Sequence, residues 1–327
     1  MRAVEKNSGV SEMTENSSEQ PYKPSWIDRF TDWVEKLPIP GWAFYVAMGF
    51  GLILIQVLFL WLDGGLAVAE VLLPVIIFNG LTMPFLLGLI RLLDDQAVTA
   101  LNSMRPVLEM TESKFDAFRY KLSNMPGRPT LIAGLATLVP YVLMELLWIA
   151  PARFAPLEQL PTFAIVFQII DKAPAFVFGG FFYHTIRQLR LVNTINSNYT
   201  RISLFNLGPL QAFSKLTAST AAGLVFGVLG WMSLNPDLLA DAVSLGFASS
   251  YTILATATFV WPLWGVHRLM EAEKARALRE IDERFEAVFA KFNQHLHDND
   301  YAATERLNGT IASLEIQHGR IRAIPTW

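Results

Sequence analysis

Three ionisable side chains stand where their surroundings are apolar. Glu145 falls in the run 131–150, and Asp171 and Lys172 fall in the run 162–184. A charge in the middle of a bilayer costs about 3 kcal/mol on insertion scales unless it is paired or hydrated. Residues of this kind therefore mark either a path for ions or polar solutes, or an ion pair that locks helices together. At 1.5 Å rise per residue, Asp171 and Lys172 lie within about 3 Å of the middle of their run, and Glu145 lies about 7 Å to one side of that plane. A lysine stem can bridge the difference of about 5 Å, so a Glu145–Lys172 ion pair is expected. Asp171 projects about 100° around the helix from Lys172 and needs a second partner. Gln168, one turn from Lys172 on the same face, completes the candidate cluster. Other polar groups at similar depth are Asn79, Thr82, Tyr141, Thr252 and Thr256, while Pro84, Pro140 and Pro174 free backbone carbonyls nearby. Residue type alone leaves both readings of the cluster open: transport path or structural pair.

Other chemistry finds little support. The chain has no H-E-x-x-H, G-x-S-x-G, Walker loop or G-x-G-x-x-G. It contains no cysteine, which removes thiol nucleophiles, cysteine-ligated zinc and iron–sulfur clusters. The five histidines, His184, His267, His295, His297 and His318, fall at the ends of apolar runs or in the tail. His295 and His297, two apart, cannot share a helix face as metal ligands. No catalytic residue, metal or cofactor is expected, and the chain reads as a non-enzyme. The net charge of −3 provides no electrostatic footprint for nucleic acid.

The elements that must position the cluster are membrane-spanning helices. Hydrophobic residues make up 52% of the 327 and charged residues 17%, with a mean hydropathy of +0.34. Soluble domains carry about 25% charge, so a soluble enzyme of this size is excluded. Six segments reach the roughly 20 apolar residues that a span requires: 41–62, 71–90, 131–150, 162–184, 218–235 and 243–264. The fold class is an all-α, six-span helical bundle. Of the 26 Lys and Arg residues, five precede the first span, six lie in 91–130, four in 185–217 and nine after 264. These segments share one side, and only Arg153 lies on the other, so both termini are expected in the cytoplasm of a cell bounded by an inner membrane. Trp42, Trp61, Trp148, Trp231, Trp261 and Trp264 fall near span ends, at headgroup level.

Outside the spans, residues 1–24 read as a disordered polar leader. Residues 25–40 read as an interfacial helix lying on the leaflet through Trp26, Phe30, Trp33, Val34 and Leu37, with Ser25 as N-cap and Asp28 three residues on. The loop 91–130 reads as two short amphipathic helices interrupted at Pro106 and ended by Pro126-Gly127-Arg128-Pro129. The loop 185–217 reads as helix ends around a turn near Phe205–Pro209. In the tail, 265–327, Leu278, Ile281, Phe285, Val288, Phe292 and His295 form one seam, and Leu307, Ile311, Leu314, His318 and Ile321 another. Asp298-Asn299-Asp300 separates them, so an antiparallel hairpin is expected. Its first helix continues the sixth span, and it packs on 91–130 or on a neighbouring subunit. Small residues four apart, Ser219, Gly223, Gly227 and Ala242, Gly246, Ser250, are expected to pack spans 5 and 6 together.

Several phrases carry a resemblance: Arg187-Gln-Leu-Arg-Leu-Val-Asn193, Tyr199-Thr-Arg-Ile-Ser-Leu-Phe205, Pro209-Leu-Gln-Ala-Phe-Ser-Lys-Leu-Thr217 and Ile324-Pro-Thr-Trp327. With them the chain resembles an uncharacterised group of bacterial polytopic membrane proteins. That resemblance implies a polytopic bundle and no activity, and in that group a further hydrophobic segment follows the last motif. The layout is also similar to that of insect odorant-receptor channels, which have a cytosolic helical anchor and a last, pore-lining span that this chain lacks. Two functions follow as expectations. One is a channel or transporter subunit with Glu145, Asp171 and Lys172 at its pathway. The other is a non-catalytic scaffold that docks a partner, a second copy or a cytoplasmic protein, through 265–327.

Overall fold

The computed structural model describes residues 21–146, 157, 159–199, 213–234, 242–298 and 300–324. Most of the leader, the turn near Phe205–Pro209, Arg153, Trp148 and Trp327 lie outside the described residues. The described chain is all-α. In order its helices are α1 (Trp26–Glu35), α2 (Gly41–Leu62), α3 (Ala69–Met104), α4 (Glu112–Ser123), α5 (Gly127–Met144), α6 (Pro161–Tyr199), α7 (Ser214–Leu234), α8 (Ala242–His297) and α9 (Tyr301–Arg322).

Three helical stretches are long and apolar enough to cross a membrane: Gly41–Leu62, Gly65–Val107 and Pro161–Tyr199. A fourth, Gly127–Leu143, is apolar but shorter. Only 17% of the apolar stretch of α2 is buried, and Phe50, Leu54, Val71, Ile132, Ile165, Ile169, Phe226 and Ile253 are all more than half exposed. An apolar surface on that scale suits hydrocarbon rather than water. Trp42 and Trp61 point outward at the two ends of α2, and Trp264 points outward where the apolar part of α8 gives way to its charged part, as interfacial rings do.

In both long connecting segments, where helix is expected, the helix is a direct continuation of the preceding apolar run. α3 runs unbroken for 36 residues, so the first of the two helices expected in 91–130 is its continuation. α6 likewise continues past 184 to Tyr199. The reason lies in the inward face. Ile90, Leu93, Ala97, Leu101 and Met104 of α3, and Val177, Phe181, Val192 and Ile195 of α6, stay buried at helical spacing while the opposite faces turn polar. A tight 3-10 turn through Pro106 then ends α3. Pro126 and Pro129 do not close a loop. They sit at the N-cap and in the first turn of α5, where proline fits because the first helical N–H groups lack intrahelical partners.

α1 is capped as expected, with the Ser25 hydroxyl accepting from the Asp28 amide and the Asp28 carboxylate accepting from the Ser25 amide. Its buried face is not the aromatic stripe, however. Ile27, Asp28, Thr31 and Val34 are buried against protein, while Trp33 is 50% exposed. Gly180 of α6 explains the choice, because a Cβ there would meet the Ile27 side chain at 2.6 Å. The aromatic side packs sideways, with Trp26 stacked on Phe176 and both Phe30 and Trp33 against Phe44.

α8 is one helix of 56 residues, so the tail does continue the last apolar segment directly. α9 folds back along it, with Ile281, Leu314 and Ile321 buried and Leu278, Phe285 and Val288 packed around them. The Lys274 ammonium ties off the open end by donating to the carbonyls of Arg322 (2.8 Å) and Ile324 (2.7 Å). α8 packs chiefly on α7, α6 and α9 rather than on 91–130.

Candidate functional site

Glu145 caps the C-terminus of α5, and Asp171 and Lys172 lie one turn before Pro174 in α6. The two helices approach closely through glycine. A Cβ at Gly134 would strike the ring and carbonyl of Phe176, and one at Gly179 would strike the Ala133 carbonyl and the Thr137 hydroxyl. Thr137 also donates to the Ala175 carbonyl at 2.7 Å, a carbonyl one residue past Pro174.

This contact places the charges together. Lys172 Nζ is in direct contact with Glu145 Oε2 and lies 2.8 Å from Asp171 Oδ2. Tyr141 OH donates to that same Asp171 oxygen at 2.8 Å, and the lysine ammonium sits 5.2 Å from the centre of the Tyr141 ring. The partner that Asp171 needs is therefore Tyr141, with its neighbour Lys172. Gln168 is half-buried and makes no hydrogen bond to the group. The Glu145 and Asp171 side chains are 7% and 4% exposed and that of Lys172 is 19% exposed, so the charges are turned toward one another.

The small-residue stripe of α7 faces α3, although α7 also packs on α8 as expected. Gly223 of α7 faces Leu89 of α3, which a Cβ would meet at 2.6 Å, and Gly227 approaches Phe85 of α3. Ser219 is half-buried on the same helix. Gly246 of α8 has nothing within 4 Å, and the exposed Ser250 donates only to the Gly246 carbonyl. The Ala242 side chain lies outside the described residues. Leucine and phenylalanine of α3 fill the grooves at Gly223 and Gly227, while α7 and α8 also pack along each other, as expected.

A second polar group lies further along α6, where sequence reasoning placed nothing. His184 Nε2 lies 2.5 Å from Asp94 Oδ1 of α3, in hydrogen-bond contact, and Gln188 donates to the same oxygen at 2.9 Å and to the Leu122 carbonyl at 2.8 Å. Asp28 of α1 accepts from the amides of Ser25 and Met125, each at 2.8 Å. All four side chains are at most 3% exposed. Around them Arg187 donates to the Asn124 carbonyl at 2.6 Å and contacts the Tyr22 hydroxyl, while Tyr22 donates to the Asn124 carbonyl and Tyr120 to the Tyr22 carbonyl. Burial pushes the Asp28 carboxyl above its ordinary value and the Tyr22 phenol up to about 12. A signal was present in the sequence: Val177, Phe181, His184, Gln188, Val192 and Ile195 follow one helical stripe, so the two polar members had to face inward.

Among the described residues no group of three or more histidine or acidic side chains is placed to hold a metal ion. A half-open groove of about 200 Å³ lies beside α3, lined by Asp95, Gln96, Thr99, Ser103 and Lys215. No protein-family model, curated protein or solved structure matches the chain. The resemblance drawn from short phrases thus brings it neither an activity nor a template.

Proposed function

We propose that this protein is a six-span membrane protein with both termini in the cytoplasm, acting as an accessory or scaffold subunit that docks a protein partner through its helical hairpin. The observation that carries this reading is the form of α8. It leaves the apolar bundle without a break and delivers a hairpin whose seam is filled by its own residues. Phe289, Leu296 and Ile316 nevertheless remain 46%, 48% and 58% exposed on that hairpin. Phe289 stands in a row of stacked rings with Phe285 and Phe292, and this exposed apolar strip is the surface assigned to the partner. The placement of basic residues supports a cytoplasmic hairpin.

The closed state of the α5–α6 group supports the same reading, since a lysine held between two carboxylates and a tyrosine is a good helix lock. A second reading, a channel or transporter subunit of the inner membrane, draws on the surplus carboxylate, because one lysine serves both Glu145 and Asp171. Native mass measurement of the full chain in mild detergent separates the two. Co-purification of a foreign protein that is lost in Phe289→Glu/Leu296→Glu supports docking. A symmetric homo-oligomer that survives those changes favours the channel, and a monomer overturns both.

A further inference from the structure

The end of the bundle that carries α1 holds two buried orphans of complementary kind. Asp28 Oδ1 has no hydrogen-bond donor, and His184 Nδ1 has no partner either. Both residues are at most 3% exposed; burial raises the proton affinity of Asp28, and the nearby His184 offsets only a small part of that. The other ring nitrogen, Nε2, is already committed to Asp94, and opposite an ionised carboxylate, which only accepts, it is the one that bears the hydrogen. A neutral ring in that tautomer presents a bare acceptor at Nδ1, which can do nothing for a carboxylate oxygen. A ring that also carries a proton at Nδ1 becomes a donor on both sides. We propose that α1 docks as a proton-operated latch, closed when the Asp28–His184–Asp94 group holds one added proton and loosened when that proton leaves.

The charges around the ring make the balance clear. From α1 comes Asp28, and from α3 come Asp94 and, one turn earlier, Arg91. Tyr120 faces the group from α4, and Arg187 on α6 is turned to Asn124 and Tyr22. Arg91 is engaged outward, 2.5 Å from Glu35, 3.3 Å from Asp95 and 4.0 Å from Asp32. Without the added proton, two buried carboxylates flank an uncharged ring. With it, the ring is an imidazolium between them, and Asp28 Oδ1 gains a donor, directly or through one water molecule.

Linkage fixes the sign. Undocking carries Asp28 away from the ring into water, so the docked state binds the proton more tightly and rising pH favours release. The raised proton affinity of Asp28 itself works in the same direction. The Arg91 pairs with Asp32 and Glu35 oppose this only below the ordinary carboxylate range, near pH 4, well away from the region where histidine titrates. The rest of the hold does not titrate there: Ile27 sits in the Gly180 notch, and the Tyr22 phenol is raised to about 12.

Hydrogen exchange on the full chain in nanodiscs of phosphatidylethanolamine and phosphatidylglycerol tests the latch. Protection of 26–35, normalised to intrinsic exchange, is expected to fall about tenfold between about pH 6 and pH 8.5, while α5 keeps its protection. His184→Gln is expected to flatten that profile. Asp28→Asn retains an oxygen for the Ser25 and Met125 amides, and is expected to make it shallower. A flat profile in the unaltered chain overturns the proposal, a result that needs no variant to fold. So does a His184→Gln chain that retains the full response.

Discussion

Two polar groups share α6, about 20 Å apart along its axis at 1.5 Å per residue, and they are built on opposite plans. Among the described residues the group at Asp171 and Lys172 joins two helices, α5 and α6, through side chains. The group at His184 and Gln188 joins α1, α3, α6 and the α4–α5 turn, and much of its bonding goes to backbone at Asn124, Met125, Leu122 and Tyr22. The difference follows from what each level of the bundle offers. Between two continuous helices the backbone is already self-bonded, so charges can only satisfy one another. Where chains turn and helices begin, free amides and carbonyls are available, and polar side chains close that end by meeting them. The first plan makes a lock, and the second makes a seal that several elements share.

The largest test of that contrast is Lys172→Leu. It leaves Glu145 and Asp171 facing each other without their cation, and is expected to destabilise the whole chain by about 3–5 kcal/mol. Loss of the monodisperse peak on heating in detergent, many degrees below the unaltered chain, is the readout. A variant that melts normally would show that the group is not a lock. Asp94→Ala, in contrast, is expected to cost about 1–3 kcal/mol by stranding the His184 and Gln188 donors. Its effect belongs to the seal, so hydrogen exchange should rise in α1 and α4 before the α5–α6 pair opens.

Glycines refine the comparison. Gly179→Ala drives a methyl group into the Ala133 carbonyl and the Thr137 hydroxyl, and is expected to cost about 1–3 kcal/mol by parting α5 from α6. Gly246→Ala meets nothing within 4 Å, and is expected to be neutral or to stabilise by up to about 1 kcal/mol. Thermal midpoints of the two variants measured side by side decide it, and equal losses would refute the assignment of close approach to α5 and α6. The smallest expected effect lies at the first turn of α6. Asp63 accepts from the Phe163 amide at 2.7 Å, and that bond holds its carboxyl below the ordinary value. Its contribution is therefore present above the ordinary carboxylate range and lost as pH falls through it, so Asp63→Asn should flatten the acid side of the melting profile between about pH 6 and pH 3.

The lock was legible in the sequence because Glu145, Asp171 and Lys172 interrupt apolar runs, where any polar residue stands out. Even there Tyr141 was only one of several polar neighbours, and Gln168 was favoured by spacing although its side chain stays out of the group. The seal was hidden for the opposite reason. Asp94, His184 and Gln188 lie at or past the ends of apolar runs, among residues whose charges are ordinary, and only the continuing stripe of α6 tells inward from outward. The same blurring hid the join: the helix expected at the start of 91–130 is the unbroken end of α3 and not a separate element. The tail hairpin was readable because its seam residues, Ile281, Leu314 and Ile321 among them, keep helical spacing between charged faces. The partners of the small-residue stripes were not readable, since glycine reports that something comes close and not what.

One consequence of α8 concerns leverage. From Gly265 to His297 the helix extends about 50 Å at 1.5 Å per residue, unbroken and braced by α9 along its length. A straight rod of that reach turns angle into distance: a tilt of about 10° at its root carries the far tip through roughly 9 Å, with no bond in the hairpin rearranged. At its root, Gly265 lies beside Asn193 of α6, the same helix that bears both the lock and the seal. A small change of packing where α8 meets α6 would therefore displace the far tip by many times its own size.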